Sequence, residues 1–168
     1  MGEESGDIII LGTGPAGLQA AIHASRAKVP VLVLGRQPNS SLFRAHIEIY
    51  CCMTGVTGES LILEGRKQAE RFGTIFLNED VIDISGQAPE CVVKTESGEL
   101  FKSKALILAM GISRQKLGIP GEKEFLGKGV SYCVDCDANF YKDLPVALGG
   151  GESAATKRLV PVYALKAL

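Results

Sequence analysis

Cys133-Val134-Asp135-Cys136, followed at once by Asp137, is the stretch of the 168-residue chain best equipped for chemistry. Two thiols at this spacing close into a disulfide and reopen, the thiolate being the attacking form. Asp137 is placed to exchange a proton with a departing thiolate. The other cysteines are Cys51, Cys52 and Cys91. A zinc or iron–sulfur site that adds Cys51 and Cys52 to the first pair is the competing reading, although adjacent cysteines match the usual spacing of zinc ligands poorly. A second redox pair at Cys51-Cys52 would require a strained vicinal disulfide, so these two are read as small, semi-buried loop residues. Cys91 is read as a packing residue in a strand. His23, on a helix, and His46, in a loop, receive no catalytic role.

Gly12-Thr13-Gly14-Pro15-Ala16-Gly17 is the second chemical signal, a G-x-G-x-x-G turn between a strand-like run and a helical pattern. The first glycine makes the tight turn, the second admits a pyrophosphate to the backbone, and the third lets helix and strand pack closely, while the helix N-terminus supplies amides and positive dipole. The bland alternative is a glycine-rich turn holding no ligand. An NAD site usually carries an acidic residue at the end of the second strand, about 20 residues on. Gly35 and Arg36 stand there instead, which favours flavin adenine dinucleotide over a simple NAD dehydrogenase, with Arg36 able to sit near adenosine. A second turn, Gly149-Gly150-Gly151-Glu152-Ser153-Ala154, follows Val146-Ala147-Leu148 and has the G-x-G-x-x-A form of a possible NAD(P) turn through Gly149, Gly151 and Ala154. Two such turns on either side of a C-x-x-C are far more specific than one.

The elements that must position these residues begin with a βαβ unit. Asp7 to Leu11 is an apolar run, Pro15 to Lys28 carries Leu18, Ala21, Ile22 and Ser25 at helical spacing, and Val31 to Leu34 is a second buried strand. A parallel pair is implied. Residues 36–58 read as irregular, with a loop at Pro38-Asn39-Ser40-Ser41. Leu61, Ile62, Gly65, Ala69 and Phe72 share a face, giving a helix over Glu59 to Phe72 that ends at Gly73. Strands follow at Thr74 to Leu77, Val81 to Ser85, Cys91 to Thr95 and Leu100 to Lys102, with a hairpin turn at Glu96-Ser97-Gly98-Glu99. Ala105 to Ala109 reads as a buried strand because its apolar residues are continuous. Val146 to Leu148 reads as one more short strand, and Pro161 breaks any helix begun at Glu152.

Composition bounds the rest. With 46% apolar and 22% charged residues and a net charge of -1, the chain is of ordinary globular type and has room for one well-buried domain. Lys and Arg are interspersed with Asp and Glu, so no basic stripe points to nucleic acid. The longest apolar runs are strand-sized, against the roughly 20 residues that span a bilayer. Met1 to Asp7 is acidic and polar, unlike a secretory signal, so a cytoplasmic location is expected.

Taken together, from Asp7 to about Ala155, these motifs resemble the low-molecular-weight thioredoxin reductases, FAD-dependent pyridine nucleotide-disulfide oxidoreductases, and their relatives in peroxide detoxification. The likeness also rests on Gln68-Ala69-Glu70-Arg71-Phe72-Gly73, Ala105-Leu106-Ile107-Leu108-Ala109-Met110-Gly111, Leu117-Gly118-Ile119-Pro120-Gly121-Glu122 and Gly129-Val130-Ser131-Tyr132. The resemblance implies an α/β, three-layer FAD/NAD(P)-binding Rossmann-like fold with a parallel sheet and a small antiparallel β layer, incomplete at the C-terminus. Residues 1–111 would be the N-terminal part of the FAD-binding domain, and 112–168 a connection plus the start of a NAD(P)-binding domain carrying the C-x-x-C.

The resemblance further implies electrons passed through flavin to the cysteine pair and on to a thioredoxin-like protein. Cys136 would face the flavin, Cys133 would attack the partner disulfide and Asp137 would donate the proton. Gly12, Gly14, Pro15, Ala16 and Gly17 would line the pyrophosphate, Gly35, Arg36 and Leu42 would line the cofactor further out, and Ala109, Met110 and Gly111 would approach it from the neighbouring strand. Tyr132, Phe140 and Tyr141 either cover a flavin ring or fill the domain edge.

Departures from the family pattern are specific. Its Gly-Gly-Gln-Leu flavin loop falls on Asn39-Ser40-Ser41-Leu42, and its Glu-Asn-Tyr-Pro-Gly segment on Glu48-Ile49-Tyr50-Cys51-Cys52. Ile49 thus replaces an amide that hydrogen-bonds the ring. After Ala155 there is too little chain to complete a nicotinamide unit, which leaves NADPH or NADH doubtful as a second cofactor. A non-catalytic FAD- or adenine-nucleotide-binding module, or a degenerate remnant, is therefore the alternative to a reductase. The apolar tail of Leu159, Val160, Val162, Tyr163, Leu165 and Leu168 and an unpaired sheet edge favour a homodimer or larger assembly.

Overall fold

Ile8–Leu11 (β1) and Val31–Leu34 (β2) are apolar at every position because both faces of these strands are covered. A computed structural model of the protein describes residues 7–47, 50–87, 89–112, 116–132 and 138–147. It forms two compact units, Met1–Ile112 and Ser113–Leu168.

In the first unit, β1 and β2 lie at the centre of a four-stranded sheet completed by Ile75–Leu77 (β5) and Ala105–Leu108 (β9), in the order β5-β2-β1-β9. All pairings are parallel: Ile8 faces Val31 on one side and Ala105 on the other, and Leu32 faces Ile75. Strand alternation sorts the side chains into two cores. Ile10, Val31 and Val33 meet Ala21, Ile22 and Ala69 of the helices, while Ile9, Leu11, Leu32 and Leu34 meet Val93 and Phe101. The last two come from an antiparallel sheet of Val81–Gln87 (β6), Glu90–Thr95 (β7) and Leu100–Ser103 (β8). Helices, parallel sheet and antiparallel sheet make the three layers expected.

Helix α1 (Pro15–Arg26) buries Gly17, Leu18, Ala21, Ile22 and Ser25, the face read from the sequence. It stops two residues before the expected Lys28, which instead takes a left-handed φ of 65°. The Lys28 and Val29 amides fold back onto the carbonyls of Ser25 and Ala24 and close the helix end. Helix α2 (Gly58–Arg71) starts where the Thr57 hydroxyl accepts the Ser60 amide. Its Gly65 sits so near Leu18 that an added Cβ would lie 3.0 Å from the Leu18 side chain, which sets the close approach of α1 and α2. Between Ser25 and Thr74 a buried hydroxyl pair at 2.7 Å ties α1 to the lead-in of β5.

Several expectations need correction. Phe72, read as the last residue of α2 and on its apolar face, is instead the C-cap, 41% exposed and beneath the Arg26 guanidinium. The β9 strand is no buried strand: it is the outer strand of its sheet, and Leu108 is 59% exposed, because no layer covers that position among the described residues. The stretch read as irregular contains a 3-10 turn at Gln37–Asn39 and a two-stranded ribbon of His46–Ile47 (β3) and Val56–Thr57 (β4). Cys51 and Cys52, in the loop between them, are exposed rather than semi-buried. Cys91, in β7, is partly buried.

The second unit is described through a turn-rich segment, a bridge between Leu126 and Val130, and a 3-10 turn at Ala138–Tyr141. Val146 and Ala147 are not in a strand, contrary to expectation, and Leu148 lies outside the described residues.

Candidate functional site

The carboxyl ends of parallel strands are where a sheet of this kind leaves a crevice for ligand. In the first unit three backbone hydrogen bonds hold the four strand ends level there. The Gly12 amide donates to the Leu34 carbonyl at 2.9 Å, Gly35 to Leu77 at 3.2 Å, and Ala109 to Leu11 at 2.8 Å. Over these ends lies a cleft of about 620 Å³, within the range that holds a sizeable ligand.

The first glycine turn forms its floor, and the reasons for its glycines differ. Gly12 has a φ of 115°, and a Cβ there would stand 2.2 Å from the Ala109 carbonyl oxygen. At Gly17 a Cβ would stand 2.0 Å from the Gly12 carbonyl oxygen. Both are required by the protein's own packing. Gly14 is not: its backbone is extended, and a Cβ would meet only the Ser40 hydroxyl at an ordinary 3.5 Å. What its hydrogen leaves clear is space on the cleft side of the turn.

Helix α1 opens at that point with Gly14 as N-cap and Pro15 as first helical residue. The first amides of a helix have no intrahelical acceptor, and here no side chain caps them and no acidic residue stands in the first turn. Positive dipole and open donors therefore face the cleft, the arrangement that binds phosphate.

The outer end of the cleft is charged. Arg36, at the end of β2, hydrogen-bonds Glu96 and lies 3.6 Å from Asp80. Beside them Glu79 accepts the Ser97 hydroxyl at 2.7 Å. That hydrogen bond, with help from Thr95 and the Arg36 charge, holds the Glu79 carboxyl below its usual range.

Of the residues expected to hold cofactor, Gly12, Gly14, Pro15, Ala16, Gly35, Arg36, Leu42, Ala109, Met110 and Gly111 line this one cleft. Gly17 lies under the turn as a packing residue. Cys133, Cys136, Asp137, Gly149, Gly151 and Ala154 lie outside the described residues. Sequence reasoning missed Glu79, Asp80 and the following residues through Ile84 as part of the wall. The usable signal was that Asn78-Glu79-Asp80 follows a short apolar run, as the carboxyl end of another parallel strand would.

In the second unit, Glu122 is 5% exposed and accepts the Leu117 and Gly118 amides at 2.9 and 2.7 Å and the Tyr132 hydroxyl. The Tyr132 hydrogen bond foremost, and the backbone amides after it, hold its carboxyl below the usual range; the same contact raises the Tyr132 phenol. Tyr132 is thereby anchored immediately before Cys133. Phe140 is 77% exposed and Tyr141 partly buried. Among the described residues no group of three or more His, Cys, Asp and Glu could hold a metal, and no helix is long and apolar enough to cross a membrane.

Comparison with known proteins agrees with this geometry. Residues 6–156 match the pyridine nucleotide-disulphide oxidoreductase family. The chain is 41% identical over 157 residues to the bifunctional thioredoxin reductase/thioredoxin of Mycobacterium leprae, covering 91% of this chain and 34% of that one. It is 40% identical over 157 residues to the thioredoxin reductase of Peptoclostridium litorale, covering 91% and 50%. Among solved structures, thioredoxin reductase from Streptococcus pyogenes superposes with a TM-score of 0.74 at 30% identity, covering 83% of this chain and 46% of that one. The chain thus spans half or less of the length of these relatives. Both the three-layer fold and the sequence place it in the pyridine nucleotide-disulphide oxidoreductase family, among its thioredoxin reductase-like members.

Proposed function

We propose that the chain is the flavin-binding part of a disulfide oxidoreductase of the thioredoxin reductase type. The observation that carries this reading is Gly14, a glycine its own protein does not need, beside uncapped helix amides at the strand ends. A pyrophosphate brought against that backbone explains both.

The described residues of the cleft fit the pyrophosphate and adenosine portions of FAD. The turn from Gly12 to Ala16 and the first amides of α1 would hold the pyrophosphate. Arg36, Glu79 and Asp80 would take the adenosine end, the carboxylates offering acceptors to ribose hydroxyls. Leu42 and the backbone of Ala109, Met110 and Gly111 border the remainder. When bound, flavin supplies electron pairs for disulfide reduction.

The thiol chemistry belongs to Cys133, Cys136 and Asp137. The Cys133 thiolate attacks a disulfide of a thioredoxin-like protein, forming a mixed disulfide and releasing one partner thiolate. Cys136 then attacks Cys133, frees the second partner thiolate and leaves Cys133–Cys136 oxidised, with Asp137 donating a proton to a departing sulfur. Two electrons pass from the pair to the partner. NADPH or NADH would bind through Gly149, Gly151 and Ala154 only with a complete nicotinamide unit around them. Residues 1–111 are the cofactor domain in this reading, and the chain works in the cytoplasm as a homodimer or larger assembly. A sedimentation-velocity run giving only monomer would remove the last point.

A second reading, a non-catalytic FAD or adenine-nucleotide module, is favoured by one fact: every residue lining the cleft lies within Met1–Ile112. Visible absorption of the purified protein separates the two, taken before and after FAD and then dithiothreitol. A reductase binds flavin that bleaches, with the response changed in Cys136→Ser. A binding module takes up flavin with identical behaviour in the variant. No flavin uptake even with excess FAD refutes both flavin readings.

A further inference from the structure

The proposed disulfide chemistry leaves Cys51 and Cys52 unused. They occupy the two central positions of a tight turn in which the Met53 amide donates to the Tyr50 carbonyl at 3.0 Å. Cys52 has a φ of 66°, and Cys51 is not in the positive range, the pattern of a type II turn, whose third position normally goes to glycine. A cysteine there is uncommon. Both residues are exposed, and their sulfurs stand 3.5 Å apart.

That separation selects among the things two thiols can do. Closing a disulfide would require the sulfurs to approach to about 2.05 Å, and adjacent Cα atoms are only about 3.8 Å apart, short of the usual disulfide range of roughly 4.4–6.8 Å. A linear two-coordinate ion with bonds of about 2.3 Å would hold its sulfurs about 4.6 Å apart, too far. A tetrahedral zinc ion would need two further protein ligands, and no such cluster occurs among the described residues. One atom bonded to both sulfurs at about 2.3 Å, with the observed separation, subtends an angle of about 100°. This is the angle of a three-coordinate pyramidal centre that carries its own third substituent.

We propose that Cys51 and Cys52 form a solvent-open chelating dithiol that captures monosubstituted trivalent arsenicals, independently of Cys133 and Cys136. The reaction balances without an oxidant. An arsenical R–As=O loses its oxygen as water, which takes the two thiol protons, and two As–S bonds form. Arsenic remains trivalent and sulfur is not oxidised. Once the first As–S bond has formed, the second thiol reacts intramolecularly, so the pair should bind about a hundredfold more tightly than either thiol alone.

The test uses phenylarsine oxide with the full chain in Cys133→Ser/Cys136→Ser form, kept reduced with a phosphine, and reads intact mass. Cys91 is retained throughout as a monothiol control. One phenylarsenic adduct per chain is expected, displaced by a competing small dithiol. Adding Cys51→Ser should abolish the stable adduct, and so should adding Cys52→Gly, which suits the positive φ and preserves the turn. No adduct on the Cys133→Ser/Cys136→Ser chain, or an adduct that survives loss of Cys51 or Cys52, overturns the proposal. Flavin uptake is scored separately, so failure here and failure of the reductase reading are distinguishable.

Discussion

Replacing Gly14 by alanine should separate binding from folding, and replacing Gly12 should not. At Gly14 the backbone has φ -77° and ψ 179°, which alanine adopts freely, and the new methyl meets only Ser40 at 3.5 Å. Alanine is the poorer N-cap by about 0.5–1 kcal/mol. Lower unfolded-state entropy offsets this by about 0.4–1 kcal/mol, so stability should stay within about 1 kcal/mol of wild type. For a chain of this size that is a Tm change of about 2–4 °C at most. The methyl stands where the pyrophosphate must approach. Losing one charge-assisted hydrogen bond costs about 1.5–3 kcal/mol, which weakens FAD binding about 10- to 150-fold. Gly12→Ala instead drives a Cβ to 2.2 Å from the Ala109 oxygen at a φ of 115°. Backbone strain of about 1–3 kcal/mol and overpacking of similar size would remove much of the chain's stability. Flavin fluorescence titration and thermal melts on both variants provide the assay. Wild-type FAD affinity in Gly14→Ala, or a Tm loss there matching that of Gly12→Ala, would refute the assignment of this glycine to ligand approach.

Two other outcomes follow from buried polar groups. Ser25→Ala should cost about 1–3 kcal/mol by stranding the Thr74 hydroxyl, whereas Ser25→Ala/Thr74→Val should cost less than the sum of its singles. Urea melts that add within error would contradict this. Because the folded Glu122 carboxyl sits below its unfolded value, its stabilisation is fully present above the unfolded pKa of about 4.3 and is lost as pH falls through the folded value. Glu122→Gln should therefore flatten the acid limb of stability against pH, read from urea midpoints between neutral pH and pH about 3. An unchanged acid limb would show that other carboxylates govern it.

Much of the first unit was legible because local pattern and tertiary environment agree there. The runs Ile8–Leu11 and Val31–Leu34 are central strands, and the spacing of Leu18, Ala21, Ile22 and Ser25 is the buried face of α1. Leu106, Ile107 and Leu108 form an equally apolar run, yet they lie in an outer strand: whether another layer covers a strand depends on its place in the sheet, which local sequence does not encode. The strands His46–Ile47 and Val56–Thr57 are too short for any period to appear. At the site, the glycine turn was readable because its spacing carries its mechanism. For Glu79 and Asp80 the sequence marks only that they follow a short apolar run; the adjacency of β5 and β2 is what brings them beside Arg36. Exposure of Cys51 and Cys52 follows from a two-residue turn whose geometry sequence left open.

The parallel register of β1 bears on how the chain is made. Its partner β2 leaves the ribosome soon after it, but β9, which must pair along its other edge from Ile8 with Ala105, is synthesised about 70 residues after β2. At roughly 5–20 residues per second, one edge of the central strand waits about 4–14 s for its neighbour. During that interval the backbone of Ile9, Ile10 and Leu11 is hydrogen-bonded along at most one edge, so the nascent protein presents an unpaired sheet edge until β9 emerges. Slower decoding between β2 and β9 would lengthen that exposure, and the yield of soluble protein should respond to codon choice there more than anywhere earlier in the gene.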